Sequence, residues 1–144
     1  MNYADSGFLV SLYRPTEGLS RTARRTIKQS PGAVILSPLS LLEIRNALNM
    51  AIRRGEMGET ERDAILVDIR RQLEVGYFRL AEVSQSEIYA KASELSDRHT
   101  PGIGTCSLDL MHVATALLCR AQRFLSTDTR QREAAKAEGM EVKP

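Results

Sequence analysis

The chain lacks several features that mark large classes of protein. Its 144 residues include no tryptophan and only two cysteines, which form neither a CxxC motif nor a zinc-type cluster with histidine. No run approaches the roughly 18 consecutive apolar residues that would predict a membrane-spanning helix. The first residues lack the basic start and apolar stretch of a signal peptide. These absences predict a cytoplasmic protein with no membrane span.

The overall charge does not point to a binding partner either. Lys and Arg number 20 against 18 Asp and Glu, so the formal net charge is only +2. There is no glycine-rich phosphate loop, no GxSxG motif and no cysteine–histidine pair placed for nucleophilic catalysis. The 42% hydrophobic and 26% charged content is typical of a soluble protein, and the length predicts one domain over residues 1–144.

Short apolar segments alternate with longer amphipathic ones along most of the chain. Strands are predicted at Ala33–Leu36, Phe78–Val83, Arg123–Ser126 and Met140–Val142. Asn2–Asp5 is too short for its periodicity to decide. This alternation predicts an α/β fold, a Rossmann-like α/β/α sandwich with a mostly parallel sheet covered on both faces.

Helices are expected between these strands. Ser37-Pro38 predicts a helix start, followed by an apolar stripe that includes Leu42, and Ser84–Glu87 fits a capping box. His99–Cys106 is predicted to be irregular. The other expected helices are Phe8–Tyr13, Leu19–Gln29, Glu59–Leu73, Ser107–Arg120 and Thr129–Glu138.

Four carboxylates follow or flank the predicted strands. Asp5 follows the first strand and Asp128 the one holding Phe124, while Glu43 and Asp109 lie early in helices. In parallel α/β sheets the ligand site lies beyond the carboxyl ends of the strands. The four acids are therefore predicted to share one edge of the sheet.

Each acid also has a purely structural interpretation. Asp5 and Asp128 could cap helices, and Asp109 could favour a helix dipole. Glu43 is harder to explain in this way, because it interrupts the apolar run LSLLEI and a buried lone carboxylate is costly.

Such a cluster suits a hard divalent cation. Mg²⁺ and Mn²⁺ prefer oxygen ligands, and ions of this kind activate water and stabilise the departing oxygen of a phosphodiester. Asn46 and His112 each stand three residues after an acid, on the same helical face. Ser6 and Ser126 could orient carboxylates or a metal-bound water, or simply cap helices.

Four segments lie within the span from Asn2 to Val142: YADSGFLVSLY, SPLSLLEIRNAL, SLDLMHVATAL and FLSTDTRQREAAKAEGMEV. In this order they resemble the motifs of PIN-domain ribonucleases, in particular VapC-like toxins of type II toxin–antitoxin systems. One departure is Thr105-Cys106-Ser107, where relatives often carry a basic residue before the serine.

The resemblance implies a Mg²⁺- or Mn²⁺-dependent endoribonuclease that is inhibited by a cognate VapB-like antitoxin and forms a homodimer. Carried over by motif, Asp5, Glu43, Asp109 and Asp128 take the catalytic and metal-binding positions. Ser6, Asn46, His112 and Ser126 are supporting residues.

RNA binding requires cations near these acids. Arg14, Arg24 and Arg25 follow Asp5, and Arg130 follows Asp128, although each could equally be ordinary solvated surface. With four Tyr, three Phe and no Trp, base recognition on a large aromatic platform is not expected.

Three other interpretations remain open. The chain could be a PIN-like nuclease of RNA processing or DNA metabolism outside a toxin system, or a nuclease-dead nucleic-acid-binding module. A phosphatase-like hydrolase on another doubly wound fold is the third, but Asp5-Ser6-Gly7 lacks the second Asp of a DxD-type loop.

Overall fold

The computed structural model describes residues 1–14 and 19–144, which form one parallel sheet and its covering helices. The strands are β1 (Asn2–Ala4), β2 (Val34–Leu36), β3 (Phe78–Leu80), β4 (Arg123–Leu125) and β5 (Glu141–Lys143). The helices are α1 (Ser6–Tyr13), α2 (Leu19–Gln29), α3 (Pro38–Arg53), α4 (Glu59–Glu74), α5 (Gln85–Ile103), α6 (Ser107–Leu118) and α7 (Thr129–Ala137).

The strands are all parallel and lie in the order β3-β2-β1-β4-β5. Strands β2 and β3 therefore extend the sheet on one side of β1, and strands β4 and β5 extend it on the other. This order places the topological switch between β1 and β4, which is where α/β sheets open a crevice at their carboxyl edge. The predicted α/β/α architecture is confirmed.

Alternate residues of the strands pack into two separate hydrophobic cores, one on each face of the sheet. Tyr3, Ile35 and Phe124 pack on one face against α5, α6 and α7. Their chain neighbours Ala4, Leu36 and Leu125 pack on the other face against α1–α4. Both faces are apolar because both are covered, which explains the continuous apolar run at β2. No helix within the described ranges is both long and apolar enough to cross a membrane.

Several local predictions are wrong. Residues 99–103 belong to α5, so the predicted irregular segment His99–Cys106 is reduced to the three residues that follow the helix. The helix continues past Pro101 because Ile103 packs on the core, and it ends at Gly104, whose φ of 74° suits a left-handed cap. Strand β3 ends at Leu80, short of the predicted Val83.

The apolar stripe of α3 also differs from the prediction. Leu42 is 64% exposed, whereas Leu48 and Ala51 of the predicted stripe are buried, together with Ser40 and Ile44. Ser40 lies inward because its hydroxyl donates to the Ala4 carbonyl and forms part of the α3 capping box. The serine cap therefore sets the rotation of the helix that carries Glu43.

Candidate functional site

Asp5 and Ser126 meet where the central strands β1 and β4 end. The Asp5 side chain is buried; Oδ1 accepts a hydrogen bond from the backbone N of Phe8 at 2.7 Å, and Oδ2 accepts one from Ser126 Oγ at 2.6 Å. Ser126 Oγ in turn accepts the backbone N–H of Asp128 at 3.0 Å. One serine thus links two of the predicted acids.

The surroundings of Asp5 oppose its ionisation. Burial raises the pKa of its carboxyl above the usual value, and repulsion from Asp128 acts in the same direction. The hydrogen bonds from Ser126 and Phe8, together with the interaction with His112, lower that pKa but do not offset burial. A positive charge nearby would therefore stabilise the ionised form of Asp5.

Gln131 connects Asp128 to Asp109, the third acid on this side of the site. Its backbone N donates to Asp128 Oδ1 at 2.9 Å, which caps α7. Its side-chain Nε2 donates to Asp109 Oδ1 at 3.0 Å, and Asp109 Oδ2 accepts the backbone N–H of Cys106 at 2.9 Å. Sequence reasoning missed Gln131; its position three residues after a capping Asp is the only signal that could have drawn attention to it.

Glu43 is held by His112 rather than by another acid. His112 Nε2 lies 2.7 Å from Glu43 Oε2, the His112 side chain is buried, and that of Glu43 is 27% exposed. Burial raises the pKa of Glu43, but hydrogen bonds from His112 and Ser6 outweigh it and bring the pKa below its usual value. Glu43 is therefore ionised more readily than Asp5, and its predicted partial burial is confirmed.

Behind His112 lies a buried chain of hydroxyl groups. The Tyr3 hydroxyl is 2.8 Å from His112 Nδ1 and 3.1 Å from Ser37 Oγ. A carboxylate only accepts hydrogen bonds, so Glu43 requires the proton on Nε2 of His112. The Tyr3 ring, fully buried and stacked on Phe124 with centroids 5.6 Å apart, fixes the far side of the imidazole.

The predicted RNA-binding residues have different surroundings. Arg24 and Arg25 are exposed on α2, with Arg21 and Lys28 on the same helical face. Arg14 is ion-paired with Glu56 at 2.7 Å and is only 20% exposed. Arg130, exposed at the start of α7, donates to the Gly104 carbonyl at 3.2 Å.

Asn46 is exposed one turn beyond Glu43 on α3. Ser6 begins α1 beside Asp5 and reaches Glu43. The predicted acids and their supporting residues Ser6, His112 and Ser126 are therefore connected through neighbouring contacts.

The donors at this edge match a hard divalent cation in kind. Within residues 1–14 and 19–144, no group of three or more His, Cys, Asp or Glu side chains is arranged to hold a metal ion. The four acids nevertheless offer only oxygen, and an oxygen that accepts one hydrogen bond keeps a second lone pair. Gln131 adds a buried Oε1 that has no hydrogen-bond partner in the described structure.

Three solved structures share this fold over most of their length. VapC20 from Mycobacterium tuberculosis, described as a sarcin–ricin loop cleaving toxin, is 22% identical over 100% of both chains with a TM-score of 0.72. FitAcB from Neisseria gonorrhoeae is 17% identical over 100% of this chain and 97% of its own, with a TM-score of 0.66. A toxin–antitoxin complex from Klebsiella pneumoniae is 17% identical over 91% of this chain and 89% of its own, with a TM-score of 0.61.

Comparison at the level of sequence identifies the family. No curated protein matches the chain significantly. The profile of the PIN domain family, however, matches residues 3–137, which include all four acids, strands β2 to β4 and all of β1 except Asn2. This chain therefore belongs to the PIN domain family.

Proposed function

We propose that this chain is a divalent-cation-dependent endoribonuclease and the toxin component of a VapBC-type toxin–antitoxin pair. The observation that carries the proposal is the row of acids at the carboxyl ends of β1 and β4, where Ser126 joins Asp5 to Asp128 and Gln131 joins Asp128 to Asp109. Membership of the PIN domain family and the description of VapC20 as a sarcin–ricin loop cleaving toxin support it.

Mg²⁺ or Mn²⁺ would be held by Asp5, Glu43, Asp109 and Asp128. When bound, such an ion supplies an activated water and neutralises charge on the phosphodiester. The chain itself provides orientation. Ser126 and the Phe8 N–H each hold one oxygen of Asp5, and His112 holds Glu43. Fixed carboxylates bind an ion without the entropy loss that free side chains would incur.

The substrate contacts in this proposal come from arginines. Arg24 and Arg25 on α2, with Arg130 beside Asp128, would contact RNA phosphates without selecting a base. Arg14 would contribute less, because its charge is already paired with Glu56.

Cleavage of purified cellular RNA by the isolated chain tests the nuclease proposal. Cleavage is expected with Mg²⁺ or Mn²⁺, none with EDTA, and none by Asp109→Asn under any of these conditions. Asp97→Asn on α5 is the matched control, because Asp97 is exposed and joins none of the hydrogen bonds between the acids. Full activity in EDTA would contradict the metal dependence, and cleavage of DNA alone would contradict the ribonuclease assignment.

The partners form a separate part of the proposal. A VapB-like antitoxin is expected to bind the chain and suppress its cleavage, and the chain is expected to form a homodimer. Co-purification with the product of a neighbouring gene, followed by the same RNA assay, tests the antitoxin. Light scattering at micromolar concentration tests the dimer, and a particle of 16.0 kDa would contradict it.

A further inference from the structure

The side chain of Gln131 occupies an unusual position between two acids. The residue is only 7% exposed, its backbone N donates to Asp128 Oδ1, and its side-chain Nε2 donates to Asp109 Oδ1 at 3.0 Å. Asp128 caps α7 and Asp109 lies in the first turn of α6. A single residue therefore ties together carboxylates that two different helices bring to the site.

The bond to Asp109 fixes which way the amide points. An ionised carboxylate only accepts hydrogen bonds, so the NH₂ end of the amide faces Asp109 and Oε1 is the other end. Oε1 is buried and has no hydrogen-bond partner among the described residues. Buried polar atoms of proteins are nearly always paired with protein groups, water or ions, so this carbonyl oxygen is free to accept a hydrogen bond from water or to ligate a cation.

The charges around Gln131 favour a cation or a water over an anion. Covalent geometry places Oε1 within about 5 Å of the Asp109 oxygen that Nε2 contacts. Carboxylates on both sides would repel an anion, and the phosphodiester itself carries no proton to donate to an oxygen. Amide oxygens are ordinary ligands of hard divalent cations and of the waters those cations retain.

We propose that Gln131 belongs to the divalent-cation site, with Oε1 facing the ion or one of its waters and Nε2 holding Asp109 in place. The inference rests on the proposed function, since it extends the same ion site by one residue. It makes Gln131 a positioning residue for Asp109 as well as a neutral oxygen donor that adds no further negative charge.

Titration calorimetry with Mn²⁺ alone, in the absence of RNA, tests the inference on the full chain. Gln131→Met keeps the length and burial of the side chain but removes both polar atoms, and should weaken Mn²⁺ binding about tenfold. Gln72→Met is the matched control, because Gln72 Nε2 also donates to an aspartate, Asp68, at 3.3 Å, but on α4. This control should bind Mn²⁺ as the wild type does.

A second variant separates positioning from structural support. Gln131→Glu keeps an oxygen but places a third carboxylate beside Asp109 and Asp128. It should lower the melting temperature in EDTA and yet retain or strengthen Mn²⁺ binding. Failure of both variants to fold in Mn²⁺ would overturn the inference in favour of a purely structural role.

The calorimetry distinguishes this inference from the function on which it rests. A wild-type chain that binds no Mn²⁺ would contradict both this inference and the proposed function. A wild-type chain that binds Mn²⁺ with the same affinity as Gln131→Met would overturn the inference alone. Reduced RNA affinity in Gln131→Met with unchanged Mn²⁺ affinity would also overturn it, because Oε1 would then serve the substrate.

Discussion

Backbone N–H groups at the start of three helices hold carboxylates of the candidate site. Asp5 accepts the N–H of Phe8, Asp128 that of Gln131, and Asp109 that of Cys106. Capping and metal binding are therefore compatible roles for these acids. A carboxylate that caps a helix is held in one orientation, and its remaining lone pairs stay available to a ligand.

Asp5→Asn should leave the metal-free protein at least as stable as wild type at neutral pH. Asn is as good a helix cap as Asp, and its Oδ1 can still accept the Phe8 N–H. Burial raises the pKa of Asp5 above the usual 3.8, so the folded chain binds its proton more tightly than the unfolded chain does. The contribution of Asp5 to the free energy of unfolding therefore falls as pH rises from about 4. An asparagine does not ionise, so the Asp5→Asn variant does not lose stability in this way.

Thermal melts of both proteins in EDTA across pH 4–8 measure this difference. The melting temperature of Asp5→Asn relative to wild type should rise with pH, whereas that of Asp97→Asn should not. If Asp5→Asn melts well below wild type at every pH, Asp5 contributes chiefly as a structural cap.

Tyr3→Phe should weaken the support that His112 gives to Glu43. The ring would still stack on Phe124, but His112 Nδ1 and Ser37 Oγ would lose a partner. The free energy of unfolding should fall by about 1–2 kcal/mol. Because His112 orients Glu43, Mn²⁺ affinity should also fall, by about tenfold.

Tyr13→Phe is the matched control for that experiment. Tyr13 also donates its hydroxyl to a partly buried acceptor, Asp68 Oδ2, at 2.9 Å, but away from the four acids. It should lose stability without losing Mn²⁺ affinity in calorimetry. If Tyr3→Phe behaves in the same way, the Tyr3 hydroxyl supports the fold only.

The acids could be proposed from the sequence because their type and their positions after strands are local properties. His112 and Ser126 could be named as supporting residues, but which side chain pairs with which could not be predicted. Tyr3 and His112 are 109 positions apart, and Gln131 and Asp109 are 22 apart on different helices. Nothing in the local pattern of either segment specifies such a pairing, since it depends on how helices pack across the sheet.

At the scale of elements, capping residues made the helix starts predictable and packing set the ends. The predicted N-cap at Ser37 and the predicted capping box at Ser84 do begin α3 and α5. The end of α5 was missed, because Pro101 suggests a helix break by its missing N–H, whereas the contact of Ile103 with the core offsets that loss. Helix α2 keeps its predicted bounds, Leu19–Gln29.

The basic face of α2 should dominate the salt dependence of RNA binding. Arg21, Arg24, Arg25 and Lys28 follow helical spacing and are exposed. Arg24→Ala combined with Arg25→Ala should remove two phosphate contacts. The slope of log affinity against log salt should then flatten by about 1.4, with similar losses across RNA sequences.

Arg70→Ala combined with Arg71→Ala provides the control, since these arginines are an adjacent exposed pair on α4. Filter binding from low to moderate salt, with catalytically inactive protein, measures both slopes. An unchanged slope in the α2 variant would place the RNA-binding face elsewhere.

At the scale of the whole molecule, strand order decides which acids meet. Alternation of strands and helices predicts a parallel sheet, but any order of five strands would satisfy that pattern. The order β3-β2-β1-β4-β5 makes β1 and β4 neighbours and so brings Asp5 beside Ser126, although they are 121 residues apart. Hydrophobic periodicity carries no information on strand order, so it could not predict that these two residues meet.

Divalent cations should stabilise the whole protein, because the acids come together only in the folded chain. An ion that binds the folded state alone stabilises it by mass action, by about 1.4 kcal/mol at ten times its dissociation constant. For a domain of this size the melting temperature should rise by about 5 °C. Melts with EDTA and with millimolar Mg²⁺ should reveal this rise in wild type and in Asp97→Asn, but less than half of it in Asp5→Asn. Asp5 lies between Ser126 and α1, so its loss leaves the ion without its most buried carboxylate. An equal response in all three proteins would remove Asp5 from the cation site, and loss of the response in Asp97→Asn would place the site elsewhere on the molecule.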